Sequence, residues 1–299
     1  MKIATLTAAA ALAALHISAP VHAQPTDTLQ KIKSSGVIQL GGRDGSFPFS
    51  YKTSADSAPV GFSADLCMKV VDAVKAKLQM PDLKVQYTIV TPLNRIPLVQ
   101  NGTIDLECST TTNTAARAQL VQFAPTHFVG SIAVAVKSNS GINSLAELDG
   151  KAIATVSGST SIQVMRAYRR NEKVEFSEVS GKDNSETFLM LSSGRAVAMI
   201  LEDVQLAGLI ARAGQPSDYK ILSERLRDEP YGFMYRKDDP QFAALVDSTL
   251  TQVMKSGEID KLYARWFTQP IAPTNVNLNF PMTDGVREAF RNPNKKPAL

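Results

Sequence analysis

Apolar and polar positions follow two different spacings along the chain. Over residues 63–78, the apolar side chains return every three or four positions, which predicts an amphipathic helix. Short apolar runs rich in β-branched residues lie on either side, at 36–40 and 83–90, and predict strands. Because strands and helices alternate, we expect an α/β fold built around mainly parallel sheets.

The alternation continues through most of the remaining chain. Further strands are predicted at 104–108, 132–137, 152–155, 174–178, 196–200 and 231–235, and further helices at 160–171, 185–192, 203–212, 240–255 and 258–267. At about 150 residues per domain, a chain of 299 residues indicates two compact units, the second beginning near Ser131. The segment from Pro270 is rich in Pro and Asn, and we expect it to wrap around the surface.

The first 23 residues have the pattern of a targeting segment. Lys2 is followed by an apolar run at 3–17, and Val21 and Ala23 occupy the −3 and −1 positions before Gln24. This is typical of a cleaved secretory signal peptide. No later run approaches the roughly 20 apolar residues that a membrane span requires. We therefore expect residues 1–23 to be removed from an exported, soluble protein.

Composition excludes several classes of function. The net charge is +4 without a dense basic run, so we expect no nucleic-acid partner. Outside the signal peptide His127 is the only histidine, and no G-x-S-x-G motif occurs. One histidine cannot form a multi-His metal site, and a serine-hydrolase triad lacks its usual motif. We expect a structural role for His127, and no metal or cofactor.

The two cysteines, Cys67 and Cys108, leave two alternatives open. An even count in an exported protein favours a disulfide, and the long loop between them would make the bond stabilising. Two separately buried thiols remain the alternative, because sequence does not give the distance between them.

Unusual polar residues follow several predicted strands. Arg43 follows the first strand, a run of threonines after Cys108 precedes Arg117, and Glu202 ends a strand of the second unit. Residues 157–161 place hydroxyls at the start of a helix. Ligands of open α/β sheets bind beyond the carboxyl ends of the strands. We therefore expect a small-ligand cleft, and its arginines, hydroxyls and acidic pair suit a zwitterion that carries an additional carboxylate.

Several longer strings carry a specific resemblance. They are GSFPFSY at 45–51, NRIPL at 94–98, QNGTIDLEC at 100–108, TTTN at 110–113, SGRAVA at 193–198 and RKDDPQF at 236–242. On these strings the chain resembles the periplasmic amino-acid-binding proteins of bacterial ABC importers (solute-binding protein family 3), specifically the glutamate/aspartate-binding type.

The resemblance implies a fold, a domain arrangement and partners. The implied fold is the type II periplasmic-binding-protein fold, with two α/β lobes, each a mainly parallel sheet flanked by helices, and two crossovers that form a hinge. Residues 24–130 and 231–299 would form the first lobe and residues 131–230 the second. The expected partners are an amino acid and a membrane-embedded ABC permease, and the expected form is a periplasmic monomer.

The resemblance also implies roles for single residues. Arg117 would hold the ligand α-carboxylate, and Glu202 would hold the α-ammonium group. Arg43 and Arg95 would meet a side-chain carboxylate. Hydroxyl and helix N-terminal donors would complete the site, namely Thr110, Thr112, Ser159 and Thr160.

Two positions depart from the pattern of family members that bind acidic amino acids. Those members have Ser in place of Pro92 and His in place of Asn184. Pro92 has no donor, and Asn184 offers an uncharged amide. A receptor for glutamine or asparagine is therefore an alternative. A separate alternative is a lyase or dehydratase on the same fold that uses Glu202 or Asp203 as its acid or base.

Overall fold

The computed structural model describes residues 27–298, so the expected signal peptide lies outside the described part. The helices are α1 Thr28–Ser35, α2 Phe62–Leu78, α3 Arg95–Gln100, α4 Ala115–Ala118, α5 Thr160–Glu172, α6 Asn184–Ser192, α7 Asp203–Ala211, α8 Pro240–Lys255, α9 Glu258–Tyr263 and α10 Asp284–Arg291. Within this part of the chain, none of them is long and apolar enough to cross a membrane.

The strands follow in the same chain order. They are β1 Val37–Gly42, β2 Gly45–Ser46, β3 Ser50–Tyr51, β4 Lys84–Ile89, β5 Leu106–Glu107, β6 Gln122–Phe123, β7 Phe128–Lys137, β8 Lys151–Val156, β9 Phe176–Gly181, β10 Ala198–Glu202, β11 Tyr219–Ile221, β12 Asp228–Tyr231 and β13 Met234–Tyr235.

These strands form two main sheets, one in each lobe. The first has the order β4-β1-β5-β13-β6, and the second has the order β11-β7-β10-β8-β9, with β12 paired to β7. In the first sheet β4, β1 and β5 are parallel and β13 is reversed. In the second, β10, β8 and β9 are parallel and β7 is reversed. The expected two-lobed α/β fold is confirmed, with one reversed strand in each mainly parallel sheet.

The two segments that pass between the lobes pair with each other. Residues 128–131 at the start of β7 lie antiparallel to residues 228–231 of β12, with Phe128 opposite Tyr231. Gly232 then separates β12 from β13, so the single strand expected at 231–235 is two short strands. This paired ribbon occupies the place of the expected hinge, because it connects the sheets of the two lobes.

The tail contains a helix that its composition did not predict. Helix α10 buries Val286, Ala289 and Phe290 against the first lobe. These positions have the i, i+3, i+4 spacing of one helical face, which was the missed signal. Further along, Ala298 pairs with Thr114, so the tail does lie on the lobe surface as expected.

A disulfide joins Cys67 on α2 to Cys108, directly after β5. The two Cα atoms are 5.8 Å apart, and 41 positions separate the residues in sequence. Of the two alternatives left by the sequence, a disulfide and two separate thiols, the structure has the disulfide. The bond ties the longest helix of the first lobe to the strand end from which residues 109–113 extend.

We expect loss of this bond to lower the free energy of unfolding by about 2–4 kcal/mol, because the unfolded chain loses a long covalent loop. Denaturant unfolding of the Cys67→Ala/Cys108→Ala double variant should measure this decrease. A reducing agent should shift the unmodified protein towards the same midpoint and leave the double variant unchanged. Equal midpoints for the oxidised protein and the double variant would contradict the expectation.

Candidate functional site

A small cavity lies between the two lobes and is lined by residues of both. The first lobe contributes residues that follow its strands, namely Arg43, Pro92, Arg95, Thr110 and Thr112. The second lobe contributes Val156, Ser159, Thr160, Asn184, Leu201, Glu202 and Gln205. Eight of the nine residues expected to bind ligand therefore line one cavity, and Arg117 lies beside it. A larger depression near Lys255 and Arg287 is lined by first-lobe residues alone.

One end of the cavity carries two buried arginines with unused donors. Arg43 and Arg95 are each 3% exposed. Arg95 Nη1 donates to the Thr110 carbonyl oxygen at 3.3 Å. Within residues 27–298, Arg43 Nε, Arg43 Nη2 and Arg95 Nε have no hydrogen-bond partner. Burial, and secondly the neighbouring Arg95, lower the pKa of Arg43 to about 10, which leaves the Arg43 side chain cationic at neutral pH.

A buried carboxylate, Glu107 on β5, lies near this arginine pair. The Thr111 hydroxyl donates to Glu107 Oε2 at 2.9 Å. Burial raises the pKa of Glu107, and the charges of Arg95 and Arg43 oppose that rise. Asp44 and Asp183 also act on Arg43, and Glu202 acts on Arg95, but among the described residues no carboxylate pairs with the free guanidinium nitrogens. An anionic group in the cavity would give these nitrogens an acceptor.

The acidic part of the site contains Glu202, which lines the cavity, and Glu229, a second carboxylate that the sequence did not indicate and that accepts from the Thr160 hydroxyl. Glu202 is 4% exposed, and burial, followed by the nearby Glu229, raises its pKa to about 7. Glu229 on β12 is fully buried and pairs with Arg227 at 2.6 Å. A ligand cation at Glu202 would stabilise its charged form. Glu229 was missed because only the hinge pairing brings β12 to the cleft.

Arg117 connects the two lobes. Its Nη1 donates to the Thr112 carbonyl oxygen at 3.0 Å, and its Nη2 donates to the Gly158 carbonyl oxygen of the second lobe at 3.1 Å. Burial, and then the charge of Arg95, lower the pKa of Arg117 to about 9. Its position fits the role expected for it, but a ligand carboxylate would share or replace these carbonyl contacts.

The start of helix α5 offers donors to the cavity. The Ser159 hydroxyl is buried and has no partner among the described residues. The Thr160 hydroxyl instead donates to Glu229 Oε2 at 2.6 Å. The first N–H groups of a helix have no intrahelical acceptor. The Thr160 hydroxyl is therefore occupied by Glu229, and the backbone N–H is the donor that Thr160 can still offer to a ligand.

The second lobe holds an amide pair that the sequence indicated only in part. Asn184 Nδ2 donates to Gln205 Oε1 at 2.7 Å, and Gln205 Nε2 donates to Glu202 Oε2 at 2.9 Å. Gln205 lies three residues after Glu202, at the spacing of neighbours on a helix face. That spacing was the signal from which its place in the cavity could have been found.

Two other polar residues have structural roles. Asp203 Oδ1 accepts from the Ser131 backbone N–H at 3.1 Å and from the Val204 N–H at 2.8 Å, so it supports the hinge strand and the first turn of α7. His127 is fully buried, and its Nε2 lies 3.3 Å from the Ser63 hydroxyl oxygen. Burial lowers the pKa of His127 to about 3, so the ring is neutral. Among the described residues, no group of acidic, His or Cys side chains could hold a metal ion.

The lobes also touch outside the cavity, at a contact that leaves no room for a larger residue. Gly208 on α7 faces Phe47 of the first lobe, and a Cβ atom at Gly208 would lie 2.6 Å from the Phe47 carbonyl oxygen. The guanidinium of Arg212 lies over the rings of Phe47 and Tyr51, at 5.2 and 5.5 Å. This arrangement of the lobes therefore depends on a glycine at position 208.

We expect Gly208→Ala to weaken ligand binding at least tenfold, because the added methyl group opposes lobe closure while alanine favours the helix by about 1 kcal/mol. Calorimetric titration would measure the affinity, and small-angle X-ray scattering would measure compaction with ligand. Gly214→Ala is the matched control, since nothing lies within 4 Å of a Cβ there. Equal affinities for the two variants would show that this contact does not limit closure.

Two α/β lobes, a paired hinge and a polar interlobe cavity define a periplasmic-type solute-binding protein. The chain belongs to the bacterial extracellular solute-binding proteins, family 3, whose sequence profile matches residues 38–269. The resemblance stated from the sequence is thereby confirmed.

Relatives of known name agree with this placement. The chain is 43% identical over 299 residues to the L-glutamate/L-aspartate-binding protein of Pseudomonas aeruginosa, covering 100% of this chain and 99% of the relative. It is 42% identical over 269 residues to the glutamate/aspartate import solute-binding protein of Escherichia coli K12, covering 90% and 89%.

A solved structure has the same fold at lower identity. An ancestral amino-acid-binding protein, AncCDT-1, described as a precursor of cyclohexadienyl dehydratase, matches with a TM-score of 0.69 and 27% identity. The match covers 81% of this chain and 100% of that one.

Proposed function

We propose that this protein binds L-glutamate or L-aspartate in the interlobe cavity and delivers it to an ABC importer. The observation that carries the proposal is the pair of buried arginines, whose Nε atoms and Arg43 Nη2 have no partner among residues 27–298. Closure over a neutral side chain would leave these buried cationic groups without a directly paired anion, at a cost of several kcal/mol. The relatives in Pseudomonas aeruginosa and Escherichia coli have names that agree with an acidic ligand.

The remaining groups around the cavity suit the amino-acid backbone. In the proposed complex Glu202 pairs with the ligand ammonium group, and Thr112 lies beside it. Arg117 holds the α-carboxylate, together with Thr110, the Ser159 hydroxyl and the first N–H groups of α5. Arg43, Arg95 and the Asn184 amide face the side-chain carboxylate.

The cellular setting belongs to the same proposal. The receptor is a periplasmic monomer that acts after removal of residues 1–23, and its partner is a membrane-embedded permease. Residues 24–130 and 231–299 move as one lobe and residues 131–230 as the other, because the paired ribbon of β7 and β12 connects them.

One observation favours a second candidate, a receptor for glutamine or asparagine. Pro92 lines the cavity without a donor, and Asn184 is an uncharged amide, which can pair with a ligand amide as well as with a carboxylate. Losing ordinary hydrogen bonds costs about 0.5–1.5 kcal/mol each, which is less than the cost of a buried arginine without a counter-charge. The acidic ligands are therefore favoured.

The proposal excludes catalysis as the main activity. An enzyme on this fold would need a free acid or base beside the ligand. In the proposed complex the charge of Glu202 is taken up by the ligand ammonium group, and Asp203 is held by the Ser131 and Val204 N–H groups. The protein should therefore not convert the amino acid that it binds, and NMR spectra of the amino acid before and after incubation with the protein should be the same.

Calorimetric titration of the refolded protein with glutamate, aspartate, glutamine and asparagine, at one salt concentration, tests the ligand class. Refolding removes any amino acid retained during purification. We expect both acids to bind more tightly than either amide. Tighter binding of glutamine or asparagine than of both acids would assign the cavity to neutral ligands.

A further inference from the structure

Gln205 connects Glu202 with Asn184 through an unbroken chain of hydrogen bonds. Its Nε2 donates to Glu202 Oε2 at 2.9 Å and to the Tyr231 hydroxyl oxygen at 3.0 Å. Its Oε1 accepts from Asn184 Nδ2 at 2.7 Å. All four residues are at most 4% exposed. Both N–H groups of the Gln205 amide are therefore engaged away from water.

The charge of Glu202 sets the direction of this chain. An ionised carboxylate only accepts hydrogen bonds, so the nitrogen of the Gln205 amide must face Glu202. The oxygen of the same amide then faces Asn184. If Asn184 turned over, its Oδ1 would meet Gln205 Oε1, and two acceptors would lie in contact. Asn184 is therefore held with its nitrogen towards Gln205.

We propose that Gln205 is a positioning residue for ligand selectivity, which acts by fixing Asn184 as a donor to the ligand side chain. One N–H of Asn184 Nδ2 goes to Gln205, and the second is left for a group in the cavity that Asn184 lines. This inference rests on the proposed function, since it concerns the choice between an acidic side chain and its amide. Gln205 acts through Asn184 and does not itself meet the distal carboxylate.

A fixed donor distinguishes the two kinds of side chain. A carboxylate accepts at both oxygens, so it gains from an asparagine held as a donor and gains nothing from one turned to present its oxygen. A ligand amide has an oxygen and an NH₂ group, so it can pair with Asn184 in either orientation. Releasing Asn184 therefore costs glutamate more affinity than it costs glutamine.

The test is a double-variant cycle of Gln205→Met and Asn184→Ala, measured by calorimetric titration with L-glutamate and L-glutamine at pH 8 and one salt concentration. Methionine keeps the length of the side chain without its hydrogen-bonding groups. We expect Gln205→Met to lower the ratio of glutamate to glutamine affinity by about five- to tenfold, the value of one oriented hydrogen bond. In the Asn184→Ala background, the same substitution should leave the ratio unchanged.

Two results would overturn the inference while the proposed function stands. The first is an equal loss of affinity for both ligands in Gln205→Met, which is the result of a packing role alone. The second is a change in the ratio that persists in the Asn184→Ala background. Gln205→Ala gives the same comparison if the methionine variant unfolds. If the unmodified protein binds no acidic amino acid, both the function and this inference are wrong.

Discussion

Arg43→Met should lower the affinity for glutamate about 100- to 1,000-fold while changing the affinity for glutamine much less. Arg43 is buried at the end of β1, with two guanidinium nitrogens that have no partner among residues 27–298. Removing one member of a buried charge pair costs about 2–5 kcal/mol, mostly because the other charge is left unpaired. The side chain of glutamine is uncharged, so the affinity for glutamine should fall only a little.

Calorimetric titration with both ligands at one salt concentration measures the two affinities. Arg195→Met is the matched control, because Arg195 is exposed and does not line the cavity. Circular dichroism should show that both variants keep the fold. If Arg43→Met lowers the affinities for glutamate and glutamine by similar factors, Arg43 does not recognise the ligand side chain.

Glu202→Gln should weaken binding at pH 8 by a similar 100- to 1,000-fold, because the ligand ammonium group would then be buried without a counter-charge. Burial and the neighbouring Glu229 carboxylate raise the pKa of Glu202 to about 7, against the opposing charges of Arg95 and Arg117. Only the ionised form pairs with an ammonium group. Affinity of the unmodified protein should therefore fall about tenfold from pH 8 to pH 6, and this dependence should disappear in the variant.

The raised pKa of Glu202 also affects the stability of the unliganded protein. Stability should fall as pH rises, whereas ligand affinity should increase. A carboxyl group whose pKa is higher in the folded state holds its proton more tightly there, so folding loses stability as pH rises from the unfolded pKa towards 7. Unliganded Glu202→Gln should therefore unfold at a higher temperature than the unmodified protein at pH 8, with the difference shrinking by pH 5. Glu172→Gln, at an exposed position on α5, is the control. A lower unfolding temperature for Glu202→Gln at pH 8 would contradict the raised pKa.

Local pattern was sufficient for the main elements of the fold. The helices expected at 63–78 and 240–255 are observed at Phe62–Leu78 and Pro240–Lys255. Each presents one apolar face to the core, and that periodicity is a property of neighbouring residues alone. Helix α10 was missed because the Pro and Asn content of the tail was given more weight than the spacing of its apolar residues.

The location of the candidate site followed from the sequence as well. Arg43, the threonines after Cys108 and Glu202 each follow a strand, and the strand-end rule for open α/β sheets brings such residues to the cleft. The structure places them around one cavity between the lobes. Their roles towards a ligand are set by chemistry that titration and calorimetry can test.

The spacing of residues along the chain therefore determined the alternation of strands and helices, and position at a strand end indicated Arg43, the threonines after Cys108 and Glu202. The two lobes and the other cleft residues, such as Arg95 and Asn184, followed from the resemblance to a known family. Only the tertiary structure decided the disulfide, the contribution of Glu229 and the bonded chain from Asn184 through Gln205 to Glu202. Each of these joins residues from separate elements. The distances between such residues depend on how the sheets and the hinge pack, and no local pattern encodes them.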